Sequence, residues 1–238
     1  MQQTFEQTIL EHPEDDRAFG VYADWLIERG DPRGELIAVQ LALEDESRPE
    51  PERQALRERE AALLAAHMDR WFGPLAPMLR DPPIVPPAEG YAPLVPNVMF
   101  RLVRGFLHTL EIEHLYVPLA RAIRDLPELR FLQDLTIGDV ERFNHGWPEG
   151  VEVPPSDRDQ GQFASVAPLL DADLSGLRSF QIGVQWDFDQ YMYNEYGPDC
   201  HTYCEPLPKL IERMPRVEEL KLFCKDYDTR ETNRSRMS

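Results

Sequence analysis

Tyr22-Ala23-Asp24-Trp25-Leu26-Ile27-Glu28-Arg29-Gly30-Asp31-Pro32-Arg33-Gly34-Glu35 reads as the end of one helix, a hinge and the start of another. Phe19, Tyr22, Trp25 and Leu26 recur at helical spacing along one face. Gly30 stands where a helix C-terminus needs a left-handed residue. Asp31 is a helix-capping residue, and Pro32 follows at the first helical position, where its missing N–H costs nothing. Leu36, Ile37, Val39, Gln40, Leu41 and Leu43 continue the second helix.

Further helices extend on both sides. Thr4 to His12 places Phe5, Ile9 and Leu10 on one side, and Pro13 stops it. Asp15 or Asp16 caps the helix that ends at the hinge. A charged break at 44–51 leads to a fourth helix. There Leu56, Leu63, Leu64 and His67 are expected inside, and Arg53, Arg57, Glu58, Arg59 and Glu60 toward water. Trp71, Phe72 and Leu75 close the bottom of this helical unit.

The prolines of residues 81–97 forbid a helix and mark a semi-extended connector and a domain boundary. Beyond it the period changes. Residues 99–103 and 106–112 alternate as strands, with Gly105 between them. A pattern then recurs: a helical stretch, an L-x-x-L turn and a short strand. The helical stretches are 115–123, 163–170 and 207–214, and the strands centre on Leu135, Phe180 and Leu220, equivalent to Leu110. One such unit cannot bury its own faces, whereas stacked units share a core. Two inserts, at about 139–161 and 185–205, each follow directly after a strand and so should leave the same edge of the stack.

The organisation expected is therefore α/β: a helical module over 1–80, the connector at 81–97, an irregular helix–strand array over 98–228 and a polar tail at 229–238. The net charge of −18 is spread along the chain. It repels phosphate backbones, which argues against nucleic acid and favours a protein partner, of basic character where charge decides. No run of about 18 apolar residues occurs, so no membrane span is expected. An N-terminus without basic and apolar signal regions, and three cysteines that form no disulfide framework, point to a reducing cytoplasm.

Residues Val21 to Leu26 with Arg29 to Glu35 resemble the bacterial repeat-companion domain, a short N-terminal module found ahead of repeat regions in large bacterial genomes. His67-Met68-Asp69-Arg70-Trp71-Phe72-Gly73-Pro74-Leu75 is similar to the closing motif of that family. Residues 98–224 resemble leucine-rich repeats, without a complete L-x-x-L-x-L-x-x-N consensus. The resemblance implies a leucine-rich-repeat-like architecture and an interaction role, and brings no activity with it.

Candidate chemistry is sparse. Asp24, Arg29, Asp31, Arg33 and Glu35 read as helix caps and ion pairs that set an interhelical angle; a binding or catalytic centre is the alternative. Arg29-Gly30-Asp31 also spells an adhesion tripeptide, which a helix corner explains better. Cys200, His201, Cys204 and Cys224 could supply four zinc ligands. Their spacing departs from a C-x-x-C knuckle, and reduced cysteines without metal are the expected reading. Trp186, Phe188, Tyr191, Tyr193 and Tyr196 alternate with acids in the second insert. They form either a partner-binding surface or a plug for the end of the repeat core. No nucleophile elbow, zinc-protease, P-loop or dinucleotide motif is present, so neither enzyme chemistry nor a cofactor is expected. Non-catalytic protein binding is the function expected. A small acidic inhibitor or immunity protein directed at a basic enzyme is the second reading, and a divergent enzyme or zinc protein the third.

Overall fold

The computed structural model describes residues 2–80, 98–115, 117–126, 128–140, 166–183 and 207–222. The expected connector at 81–97 and tail at 229–238 lie outside the described residues. Five α-helices come first: α1 (Gln2–Glu11), α2 (Asp16–Ile27), α3 (Pro32–Glu44), α4 (Glu50–Phe72) and α5 (Ala76–Arg80). β1 (Val98–Val103), β2 (Phe106–Leu115), α6 (Val117–Arg124), β3 (Asp134–Val140), β4 (Ser179–Ile182), α7 (Leu207–Ile211) and β5 (Glu219–Leu222) follow. The class is α/β.

The hinge between α2 and α3 follows from its residues. The Gly30 N–H donates to the Ile27 carbonyl (2.9 Å) and the Asp31 N–H to the Leu26 carbonyl (2.9 Å). These are the two bonds of a Schellman ending, and they require Gly30 at φ 68°. Asp15 and Asp31 cap α2 and α3 by accepting from the Arg17 and Arg33 N–H groups, both at 3.0 Å. Gly34 lets the two helices cross closely, since a Cβ there would sit 2.5 Å from the Ala23 carbonyl oxygen.

The strands form one sheet in the order β1-β2-β3-β4-β5, antiparallel between β1 and β2 and parallel thereafter. Leu110, Leu135, Phe180 and Leu220 stand directly opposite one another across it. Ile112, Ile137, Ile182 and Leu222 form the next inward row. Before each of the last three strands the same turn recurs. Leu132, Leu177 and Val217 donate their N–H to the carbonyls of Leu129, Leu174 and Met214, at 2.9, 3.1 and 3.2 Å. Each unit thus reads large apolar, two residues, apolar, two residues, then the core-facing residue of the strand (Leu135, Phe180 or Leu220). The turns stack so tightly that a Cβ on Gly176 would lie 1.8 Å from the Arg130 carbonyl oxygen.

Helices and sheet share their packing. Trp71, Phe72 and Leu75, expected to close the helical unit, lie in the same apolar cluster as Leu107, Leu110 and Leu135. A second cluster joins Ile9, Phe19, Tyr22 and Leu26 to Phe106 and Phe131 of the sheet region. Inside it the Tyr22 and Phe106 rings stack at 6.3 Å, and the Phe106 and Phe131 centroids are 4.0 Å apart.

Some details differ from the sequence-based expectation. Leu115 ends β2 instead of opening a helix, because its partner Val140 extends the parallel ladder to that point. Of the helix expected at 163–170, the described part is a 3₁₀ turn, Ala167–Asp171, with Pro168 in its first turn. Glu60 is half-buried and not on the water-facing side, because its carboxylate accepts a bond from Gln40 (2.6 Å) across the α3–α4 contact.

The two glycines of this helix pair should respond in opposite ways. Gly34→Ala should lose about 1–3 kcal/mol, through a Cβ driven into α2 backbone. Gly20→Ala, with nothing within 4 Å of its Cβ, should gain about 0.5–1 kcal/mol. Urea denaturation of the two variants measures both.

Candidate functional site

The most strongly organised polar region is a clamp between the helices and the turn of the β1–β2 hairpin. Val103 pairs with Phe106, so Arg104 and Gly105 make a two-residue loop. Both have positive φ, 50° and 81°, as a type I′ turn demands. Gly105 has a second reason to be glycine, since a Cβ would lie 2.6 Å from Ile37 Cγ1. Its N–H donates to Gln40 Oε1 (2.6 Å) and its carbonyl accepts from Arg33 Nη1 (3.2 Å). Both backbone groups of one turn residue are therefore satisfied by α3.

Arg104 is held in its uncommon backbone conformation by several partners. Its guanidinium bonds Glu44 through Nε and Nη2 (2.8 and 2.7 Å) and donates to the Pro13 carbonyl (3.1 Å). Asp16 lies 2.6 Å from Nη2. Charge-assisted contacts of this kind offset the strain of a non-glycine residue at positive φ.

Arg33 is the centre of the clamp. It is 5% exposed, and it pairs with Glu128 in the turn before β3. Burial pushes the Glu128 carboxyl above its ordinary range, with Arg33 pulling it back. Glu6, also buried, accepts from Tyr22 Oη (3.0 Å) and pairs with Arg130 (2.8 Å). Burial and then the Glu6 carboxylate push the Tyr22 phenol upward. Arg216, in the turn before β5, donates to the Leu10 carbonyl of α1. The turns preceding β3 and β5 are thus both tied to the helical unit, which lies along the edge where the parallel strands begin.

The five charged residues of the hinge do separate jobs. Asp31 caps α3 and pairs with Arg70 (2.9 Å). Arg29 lies over the Trp25 ring, 3.9 Å from its centroid. Glu35 and Arg59 form a two-bond pair at 2.6 Å each, and these bonds hold the Glu35 carboxyl below its usual range. Asp24 is exposed. Arg33 alone is buried. The burial of Glu6, Arg33 and Gln40 escaped the sequence reading, although Glu6 sits three residues before Ile9, on the apolar side of α1.

The outward face of the sheet carries a polar row: Arg101, Thr109, Asp134, Ser179 and Glu219 in register. A bulge on β2 places His108 beside it, because Arg101 pairs with Thr109 and Leu102 with Leu107. The His108 Nδ1 lies 3.1 Å from Arg101 Nη2, 3.0 Å from Thr109 Oγ1 and 3.3 Å from Asp134 Oδ2. Burial first, and Arg101 next, push its imidazole pKa down, against Asp134. A shallow cleft behind it runs over Leu10, Phe106 and Phe131 to Arg130 and Arg178. Those arginines are matched by Glu6 and Glu218 (2.8 and 2.7 Å).

The candidate partner-binding residues Trp186, Phe188, Tyr191, Tyr193 and Tyr196 lie outside the described residues. So do Cys200, His201, Cys204 and Cys224, and among the described residues no group of His, Cys, Asp and Glu could hold a metal ion. What is described is where the chain departs toward them. β3 and β4 are adjacent and parallel, so residues 141–165 and 184–206 both begin at the same edge of the sheet. That edge is opposite the one the helices hold. Among the described residues no helix is long and apolar enough to cross a membrane.

Two measurements test this account. Arg33→Met should cost about 1–3 kcal/mol by leaving the half-buried Glu128 carboxylate and the Gly105 carbonyl without their partner. Arg33→Met/Glu128→Gln should recover part of that loss, as read by chemical denaturation. A histidine with a lowered folded pKa binds fewer protons in the folded chain than in the unfolded one. Stability should therefore fall as pH drops from above the ordinary value of 6.5 through the lower folded one. The fall should be smaller in His108→Gln, in parallel urea titrations across that window.

No protein-family model matches the chain, and no curated protein or solved structure is significantly similar to it.

Proposed function

We propose that the chain is a non-catalytic protein-binding module: a repeat-companion-like helical unit docked on a short leucine-rich-repeat-like array. The recurring turn before β3, β4 and β5, with its common N–H to carbonyl bond and in-register apolar rows, supports the repeat reading. One observation carries the functional reading. The helical unit occupies the edge where the parallel strands begin, and two long segments leave from the edge where β3 and β4 end. In open parallel sheets that second edge is where ligands are received, since loops there can vary without disturbing the core. The segment after β4 carries Trp186, Phe188, Tyr191, Tyr193 and Tyr196 among acids. Large rings anchor interfaces, and the acids suit a basic partner.

The net charge of −18 favours a second reading within the same geometry, an acidic inhibitor that occupies a basic enzyme. Steep weakening of the complex with salt marks that case, and weak salt dependence marks a mainly apolar interface.

Trp186→Ala/Tyr193→Ala should weaken partner capture by at least tenfold, the loss of about 1.4 kcal/mol that removing one anchor brings. The melting temperature should stay within a few degrees of the parent. A large stability loss with capture unchanged would assign these rings to core closure and end the interface reading.

A further inference from the structure

We draw no further inference here: the strongest candidate, the shallow cleft that α1 and the turns before β3 and β4 form over Phe106 and Phe131, carries nothing because its arginines, Arg130 and Arg178, are already paired with Glu6 and Glu218 and nothing in the structure shows what would occupy it.

Discussion

Arg33 must hold a full positive charge out of water, and the arrangement around it answers that requirement. A buried guanidinium is tolerated when its donors meet acceptors and its charge meets an opposite one. Here the Gly105 carbonyl and the Glu128 carboxylate do this from two different parts of the sheet region. The side chain rises from the first turn of α3, one residue after Pro32, so the Asp31 cap also sets its direction. The Trp71 and Phe106 rings flank the cation at 5.4 and 5.1 Å. Helix start, hairpin turn and repeat turn therefore meet at one residue. A change in any of the three would leave a charge or a carbonyl unsatisfied in the interior.

This placement divides labour between the two edges of the parallel strands. Where the strands begin, the Arg33–Glu128, Arg130–Glu6 and Arg216–Leu10 contacts bind the repeat turns to helices. Where β3 and β4 end, the described chain makes no comparable commitment to the helices. Rigidity on one edge allows long segments on the other to vary in length and composition without loss of the core.

Much of the backbone plan was legible because it depends on local chemistry. Gly30, Asp31 and Pro32 specify a Schellman ending and a capped start from their own conformational preferences. The equivalence of Leu135, Phe180 and Leu220 was readable because each sits three residues after the second apolar residue of its turn. Buried polar residues were not readable in this way. Glu6, Arg33 and Gln40 are of types that normally face water, and partners 16 to 124 residues away make their burial tolerable. Gly34 and Gly176 resemble any other glycine until the opposing backbone is in place. The candidate interface was legible only as composition, five rings among acids, and composition carries no coordinates.

The bond from Arg216 to the Leu10 carbonyl closes the chain across 206 residues. An ordinary repeat stack lives on contacts between neighbours, so it can nucleate anywhere and gain or shed units at its end. Here the first helix is joined to the turn of the last described unit, and the middle is joined to Glu6 across 124 residues. Such a high contact order makes folding slow and late to complete. It also makes the array length a fixed property. A strand added or removed between β2 and β5 would move the Arg216 turn away from α1, so the bond to Leu10 fits one spacing of the described strands.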